Sequence, residues 1–276
     1  MNNNKGKGFS LIELMIAMLI GLFLVGSTMT LYLGSKKSYQ EQQQFIMLED
    51  AGRNALYELT DIIQHTGYRT ADLFPITNYF ITGAVTASSC NAAGVNATNT
   101  NIADTSIINT VADAASDSVG VVYFGDNTLN HDCSGATLPA DCLLRTATDP
   151  MAAKIYNSFS IVTVAGVPEL QCTGSLSPTA TTLVKGVENI QLNYGIDQDM
   201  DGRVDNYMNA AMVTSETAWN QVINVQVAVL IRTIKKVKET AVAQSYALLD
   251  KKVDIAADRY HRAVFTTQIR LPNTQP

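Results

Sequence analysis

Residues 8–33 read GFSLIELMIAMLIGLFLVGSTMTLYL and contain the longest apolar run of this 276-residue chain. The twenty residues from Leu14 to Leu33 carry no charge. As a helix they would span about 30 Å, the thickness of the hydrocarbon core of a bilayer. Two cations, Lys5 and Lys7, precede the run and are expected to stay on the cytoplasmic side. The sequence therefore predicts one membrane-spanning helix, with the rest of the chain outside the cytoplasm.

A single acidic residue, Glu13, lies near the start of this run. A carboxylate at that depth costs about 2.5–3.5 kcal/mol on insertion scales unless it has a partner. One interpretation places Glu13 at the level of the headgroups, where it stays hydrated. The alternative is a positively charged partner. Cleavage after Gly8 would create one, because Phe9 would then carry a free α-amino group.

The segment GFSLIEL at residues 8–14 resembles the class III signal of type IV prepilins and type II secretion pseudopilins. That signal consists of a short basic leader, a glycine, a methylatable phenylalanine and a glutamate shortly after it. The resemblance implies that a membrane prepilin peptidase cuts between Gly8 and Phe9 and methylates the new amine of Phe9. It also implies that Glu13 neutralises the Phe9 amine of an adjacent subunit during assembly. Such pairing gives each charge in low dielectric an opposite partner.

The predicted helix continues beyond the membrane, because no proline occurs before Pro75. Apolar residues recur at helical spacing, with Gly52 filling one position of the stripe: Phe45, Leu48, Ala55, Leu59, Ile62 and Ile63. The triplet His65-Thr66-Gly67 is typical of a helix end. We expect one helix from Phe9 to Gln64, about 84 Å long. Major pilins usually have a proline near position 30, where this chain has Thr30, so the resemblance favours a minor subunit.

Several later segments show the alternating pattern of half-buried strands. They lie at 119–124, 159–164, 187–194, 225–232 and 263–271. A helix followed by strands predicts an α+β fold in which the C-terminal half of the helix packs on an antiparallel sheet. This is the lollipop shape of the type IV pilin-like proteins that the signal resembles. Residues 84–118 are expected to form the loop between helix and sheet, and 236–258 a solvated loop or short helix.

Residues 197–205 read DQDMDGRVD, with Asp197, Asp199 and Asp201 at alternate positions before a glycine. This spacing matches the start of an EF-hand loop, in which alternate carboxylates converge on one hard cation. The carbonyl of Arg203 and the carboxylate of Asp205 would complete the ligands. The bidentate Glu of an EF-hand is absent, so we expect a shorter, structural Ca²⁺ loop. The alternative is a solvated acidic turn.

The four cysteines form no CxxC pair, and their even number predicts two disulfides in an oxidising compartment. Spacing alone leaves all three pairings open. Minor pilins of the PilW type show a similar D-C-x-G segment followed by L-x-C. In this chain these are residues 132–135 and 170–172. The resemblance implies the pairs Cys133–Cys172 and Cys90–Cys142.

Composition and motifs favour a non-enzymatic envelope protein. Only 16% of the residues are charged and the net charge is −6. No HExxH, GxSxG or phosphate-loop motif occurs, so no enzymatic function is expected. The balance of charge also argues against nucleic acid as a partner. The only basic concentration contains Lys235, Lys236, Lys238, Lys251 and Lys252.

The remainder of the chain resembles the PilW type through the segments GVENIQ (186–191), YGID (194–197) and FTT (265–267). The implied protein is a minor pilin that primes type IV pilus assembly near the tip, in motility, adhesion or DNA uptake. Its regions would be a cleaved leader (1–8), an assembly helix (9–34) and a periplasmic or extracellular head (35–276). Its expected partners are other minor pilins, the major pilin, prepilin peptidase, the inner membrane and a large tip adhesin.

Two alternatives remain open at this point. One is a J-type pseudopilin of a type II secretion system, which uses the same N-terminal signal. The other is a fibre-displayed adhesin or DNA-binding module, for which the lysines of residues 235–252 are the only candidate surface.

Overall fold

The computed structural model describes residues 10–69, 80, 116–143, 150–177 and 179–274. The chain divides into two compact units, residues 1–46 and 47–276. The elements are α1 (Leu11–Ile63), β1 (Val119–Phe124), β2 (Lys154–Val164), β3 (Val167–Gly174), β4 (Thr181–Lys185), β5 (Val187–Ile196), β6 (Asn206–Met208), α2 (Ala210–Ser215), β7 (Val222–Arg232), β8 (Val242–Leu248), β9 (Lys251–Asp258) and β10 (Arg262–Arg270). Short 3₁₀ turns lie at Ala140–Cys142, Pro150–Ala153 and Trp219–Gln221.

Helix α1 ends at Ile63, one residue before the end that the sequence predicted. The amides of His65 and Thr66 donate to the carbonyls of Ile62 and Ile63, which tightens the last turn. Gly67 then takes a left-handed conformation with φ of 74°. Its amide donates to the carbonyl of Val122 in β1, so the chain leaves the helix directly into the sheet region. The predicted start at Phe9 lies outside the described residues.

The strands form two four-stranded antiparallel sheets and a separate hairpin. The first sheet has the order β1-β2-β3-β4 and the second has the order β10-β7-β5-β6. Strands β8 and β9 pair only with each other. The fold is therefore α+β, with the second half of α1 packed on antiparallel sheets, as the sequence predicted.

The core of the larger unit lies between α1 and the inner faces of both sheets. Leu59 and Ile63 of α1 are fully buried, and they belong to one cluster with side chains such as Val121, Phe159 and Val227. Burying each large aliphatic side chain stabilises the fold by roughly 1.5–3 kcal/mol. The spacing of the apolar stripe thus identified the buried face of the helix.

Gly52 permits the close approach of α1 to β10. A Cβ atom built on Gly52 would overlap the ring of Phe265. A mid-helix glycine costs about 1 kcal/mol relative to alanine in helix propensity. The structure shows that this position is needed for packing against the sheet, which the helical pattern alone did not reveal.

All five predicted strands are confirmed, in β1, β2, β5, β7 and β10. The prediction for residues 236–258 is wrong, because most of this segment forms the β8–β9 hairpin. Its Leu248 and Val253 pack on Ala228 and Leu230, which lie on the outer face of β7. The hairpin therefore buries the outer face of β7, which the alternating pattern predicted to be exposed to solvent.

Candidate functional sites: the N-terminal segment, the acidic loop and two structural anchors

The N-terminal part of α1 exposes a continuous apolar surface. Its large side chains from Leu11 to Leu33 are each more than half exposed. The helix is long and apolar enough to cross a membrane. Because exposed apolar surface of this extent is unfavourable in water, this segment suits a lipid environment or the interior of an assembly.

Glu13 lies in the first turn of α1 and turns back toward the start of the chain. Its Oε2 accepts a hydrogen bond from the backbone amide of Ser10 at 3.3 Å. A carboxylate at a helix N-terminus is favoured by the unpaired amides and the helix dipole. Gly8 and Phe9, the predicted processing residues, lie outside the described residues.

The acidic loop joins β5 to β6 and is the densest group of carboxylates among the described residues. Asp197, Asp199 and Asp205 each present an oxygen, and these oxygens lie within 4.8 Å of one another. Asp197 is only 4% exposed, whereas the other two are exposed. Such convergence of carboxylates is unfavourable without a cation unless hydrogen bonds compensate.

Backbone amides hold this loop in shape. Asp197 accepts hydrogen bonds from the amides of Asp201 and Gly202 at 3.1 and 2.9 Å. Asp205 accepts one from the amide of Gln198 at 2.8 Å. The turn is possible because Gly202 adopts a left-handed φ of 83°. Gly202 thus permits the sharp turn that the loop pattern predicts, whereas the aspartates as metal ligands stay a prediction.

The structure departs from the predicted ligand set at Asp201. Its Oδ1 accepts a hydrogen bond from the amide of Arg203 at 2.8 Å, and Asp201 is not in the three-carboxylate group. The carbonyl of Arg203 as a ligand stays a prediction. The loop lies between two strands, which agrees with a short structural loop and differs from the helix-flanked EF-hand.

The structure joins Cys133 and Cys172 in a disulfide, the pairing that the resemblance implied. Cys142 is also disulfide-bonded. Cys90 lies outside the described residues, so the pair Cys90–Cys142 stays a prediction. The Cys133–Cys172 bond links the loop after β1 to β3, and a bridge of this kind commonly contributes about 2–4 kcal/mol.

Asp132, next to this disulfide, is a buried anchor that sequence reasoning did not identify. Its side chain is buried, and Oδ1 accepts from the amides of Ser134 and Ala136 and from the Ser134 hydroxyl. Oδ2 accepts from the amide of Leu176 at 2.9 Å. The D-C-x-G segment is therefore a structural turn: its aspartate ties the loop after β1 to the segment after β3, and its cysteine is bonded covalently to β3.

Gly174→Ala is expected to destabilise the chain by about 2–3 kcal/mol, since overpacking next to a hydrogen-bonded group forces both to shift. A Cβ atom on Gly174 would overlap the carboxylate of Asp132, which its four donors hold in place. Urea unfolding of the detergent-solubilised chain measures the change. Gly34→Ala is the matched control, because a Cβ atom there meets nothing within 4 Å. Equal stability of the two variants would contradict the anchor role of Asp132.

A second anchor is an ion-pair network that connects β5, β7, β9 and β10. Arg262, whose side chain is 2% exposed, donates to both Glu188 and Asp258. Arg232 lies 3.4 Å from Glu188 and stacks on the ring of Tyr260 at 4.1 Å. Burial lowers the pKa of Arg262, but its hydrogen bonds to Asp258 and Glu188 outweigh burial and raise it above the ordinary value. The hydrogen bond from Arg262 also lowers the pKa of Asp258.

The lysines of residues 235–252 do not form one basic patch. Lys235, Lys236 and Lys238 precede β8, at the end where Val242 pairs with Asp258. Lys251 and Lys252 lie at the opposite end, where Leu248 pairs with Lys251. The seven residues of β8 separate the two groups by about 20 Å. Lys252 is also paired with Asp254 at 3.1 Å. The structure therefore lends no support to a nucleic-acid surface here.

Comparisons with known proteins address the N-terminal segment and the strand region separately. A family model described as Prokaryotic N-terminal methylation motif matches residues 3–29, and one described as Type IV Pilus-assembly protein W matches residues 158–273. Together the two matches span 143 of the 276 residues (27 and 116). A solved structure, a type IV-like pilin TTHA1219 from Thermus thermophilus, is similar over 83% of this chain and 97% of that chain, with 12% sequence identity and a TM-score of 0.40. No curated protein matches the chain.

Proposed function

Because this chain belongs to the PilW type of type IV pilus-assembly proteins and carries the N-terminal methylation motif, we propose that it primes pilus assembly as a minor pilin at or near the tip. Its family and fold are those of structural pilins. The apolar part of α1 anchors it in the inner membrane before it enters the pilus. The observation that carries the proposal is the joint presence of the methylation motif, the exposed apolar helix and the PilW-type head in one chain.

The proposed maturation removes residues 1–8 and methylates the new amine of Phe9. Residues 9–34 then serve as the assembly helix, and residues 35–276 form the head outside the inner membrane. In the fibre, Glu13 pairs with the Phe9 amine of a neighbouring subunit. Glu13 lies four residues after Phe9 in the sequence, and its carboxylate accepts a hydrogen bond from the Ser10 amide, which supports this pairing.

The proposal is tested by deleting the gene in its host and counting fibres. Priming predicts far fewer pili, restored by the wild-type gene, and immunogold label for this chain at fibre ends. Other minor pilins and a large adhesin are expected to co-purify with it. Normal piliation together with loss of protein secretion would instead identify a J-type pseudopilin of a type II secretion system.

Glu13→Gln is expected to permit processing but to reduce the amount of this chain in sheared fibres by about tenfold or more, since a buried amine without its counter-ion costs over 1.4 kcal/mol. The measurement is an immunoblot of membrane and fibre fractions. Glu49→Gln, at an exposed position of the same helix, is the control. Equal incorporation of both variants would exclude the charge-pair role.

We also propose that the acidic loop binds a structural Ca²⁺ through Asp197, Asp199 and Asp205, with the carbonyl of Arg203 as a further ligand. Three converging carboxylate oxygens match the preference of Ca²⁺ for hard oxygen ligands. The ion would hold the connection between β5 and β6. The chain would still need further oxygens, from backbone or water, to reach the six to eight that Ca²⁺ takes.

Saturating Ca²⁺ is expected to raise the melting temperature of the full chain by about 5–10 °C, which corresponds to ~2.7 kcal/mol at a hundredfold excess over Kd. Asp199→Asn should abolish this increase. Glu216→Gln removes the same charge at an exposed position outside the loop and should retain it. Identical melting of the wild type with Ca²⁺ and with a chelator would refute the metal site.

A further inference from the structure

The larger unit of the chain carries a group of cations at one end. Residues 47–276 contain 15 cations and 23 anions, so this unit is acidic as a whole. Residues 233–240 and 259–261 nevertheless contain four cations and a single anion, Glu239. We name these four cations the basic pole: Lys235, Lys236, Lys238 and Arg259. The basic pole thus joins the first of the two lysine groups described above to an arginine that follows β9.

Backbone hydrogen bonds bring the two segments of the basic pole together. The amides of Val237 and Lys238 donate to the carbonyl of Arg259 at 3.0 and 2.9 Å. The Nε of Arg259 donates to the carbonyl of Lys238 at 2.7 Å. The amide of Thr233 donates to the carbonyl of His261 at 2.9 Å. The segment that follows β7 therefore lies beside the segment that precedes β10, and the four cations share one surface.

The charge of the basic pole is not cancelled by the acids of the neighbouring network. Lys235, Lys236 and Arg259 are exposed. Both Glu188 and Asp258 accept hydrogen bonds from Arg262, and Arg232 is a second counter-charge for Glu188. The network is therefore close to neutral by itself. The basic pole keeps a net positive charge on a unit whose remaining surface is negative.

The basic pole lies at the end of the larger unit where α1 enters it. The ring of Phe265 in β10 lies against Gly52 of α1. The Asn273 side chain, beyond the end of β10, donates to the carbonyl of Gln64. Strand β10 therefore runs alongside α1 in the same direction. Because Arg259 comes before β10, the basic pole lies at the end of the unit nearest Met47.

The chain ties this end of the larger unit to the membrane. The predicted membrane-spanning residues end at Leu33, and residues 34–46 belong to α1 and are about 20 Å long as a helix. The headgroup layer covers the first ~6 Å of that length. The entry end of the larger unit is thus held within about 15 Å of the lipid headgroups, a distance that helix tilt shortens further. No other large anionic surface is tied to the basic pole by the chain itself.

We propose that the basic pole binds the anionic phospholipid headgroups of the inner membrane while the subunit is anchored there. The inference rests on the membrane anchor of α1 and not on the priming role at the pilus tip. Each Lys or Arg near an anionic membrane favours contact about fivefold. The acidic remainder of the unit is repelled by the same surface, so the contact also selects one orientation of the head.

The first test compares two lipid compositions with the full chain in nanodiscs. A benzoylphenylalanine photocrosslinker replaces Ile234, which is 37% exposed and adjoins the basic pole. Crosslinking to lipid should be about fivefold or more higher in an equal mixture of phosphatidylglycerol and phosphatidylcholine than in phosphatidylcholine alone. It should be lost in about 1 M salt, where the Debye length falls to ~3 Å. The control probe replaces Met200, which is 65% exposed in the acidic loop, and should give few lipid crosslinks in either membrane. Equal crosslinking from position 234 in both membranes would overturn the inference.

The second test reverses charge at the basic pole. Lys235→Glu/Lys236→Glu should lower lipid crosslinking from position 234 about tenfold or more in the mixed membrane. Lys251→Glu/Lys252→Glu makes the same change of charge at the opposite end of the β8–β9 hairpin and should retain wild-type crosslinking. Equal loss in both variants, or in neither, would overturn the inference. A gel shift with duplex DNA that the first variant abolishes, without lipid crosslinking by the wild type, would assign the basic pole to nucleic acid instead. The lipid comparison with unchanged lysines does not depend on the folding of either variant.

Discussion

Gly8→Val is expected to leave the chain at precursor length in the inner membrane, with no product that begins at methylated Phe9. The motif requires a glycine before the cut because a residue without Cβ lets the backbone approach a peptidase closely. A β-branched valine adds bulk at that bond and stiffens the chain. Intact-mass spectrometry of the membrane fraction reports the cut site and the methyl group in one measurement.

The control for this prediction is Gly21→Val. Gly21 lies within the apolar run, where a Cβ atom meets nothing within 4 Å, so this variant should still be cut and methylated. A mature product of normal length from Gly8→Val would refute the processing assignment. It would also remove the basis for pairing Glu13 with a neighbouring Phe9 amine.

Arg262→Met is expected to destabilise the chain by about 3–5 kcal/mol, the usual effect of removing one partner of a buried ion pair. Methionine keeps the apolar length of the side chain but leaves Glu188 and Asp258 without their shared donor. Arg232, at 3.4 Å, would then be the nearest counter-charge to Glu188. Because the network joins four strands, we expect the β8–β9 hairpin and β10 to loosen together. Urea unfolding followed by circular dichroism measures the change.

Arg53→Met is the control, since Arg53 is 79% exposed and forms only a helical surface pair with Glu49. Such pairs contribute a few tenths of a kcal/mol. The loss of stability for Arg262→Lys should lie between those of Arg53→Met and Arg262→Met. Lysine keeps the charge but lacks the planar guanidinium that donates to both carboxylates. If Arg262→Met lowered the free energy of unfolding by less than about 1 kcal/mol, the network would contribute little to stability.

The same variant should change the response to acid. Asp258 has a lowered pKa in the folded chain, so its contribution is present above the unfolded pKa and is lost as the pH falls through the lowered value. Without Arg262 the largest part of that contribution is absent at every pH, while the Tyr260 amide still donates to Asp258. The difference in free energy of unfolding between the wild type and Arg262→Met should therefore become smaller as the pH is lowered.

Local patterns predicted the features that depend on neighbouring residues in the chain. The spacing of Leu59, Ile62 and their apolar neighbours identified the buried face of α1. Alternation identified β1, β2, β5, β7 and β10. The aspartates and Gly202 of the acidic loop also act within nine residues, and the structure brings three of them together. Asp201 lies outside this group, and its carboxylate accepts a hydrogen bond from the amide of Arg203.

The missed features depend on residues far apart in the sequence. Strands β8 and β9 bury only Leu248 and Val253 and leave their other side chains partly or fully exposed, so their pattern resembled a solvated loop. Their inner side chains, Leu248 and Val253, become buried only by packing on the outer face of β7. No neighbouring residue in the sequence indicates that Gly174, at the end of β3, must accommodate Asp132, which lies in the loop after β1. The partner of Arg262 in β5, Glu188, likewise lies 74 residues away in the sequence.

The sequence by itself determined that this chain carries a prepilin-type signal, a helix apolar enough for a membrane, and an α+β head with an acidic loop. These properties follow from composition and periodicity along a continuous stretch, where each residue acts with its near neighbours. Only the tertiary structure decided which buried charges are paired, which glycines permit close packing and which cations lie together at one end of the head. Those properties arise from contacts between distant segments, whose free energy no local pattern encodes.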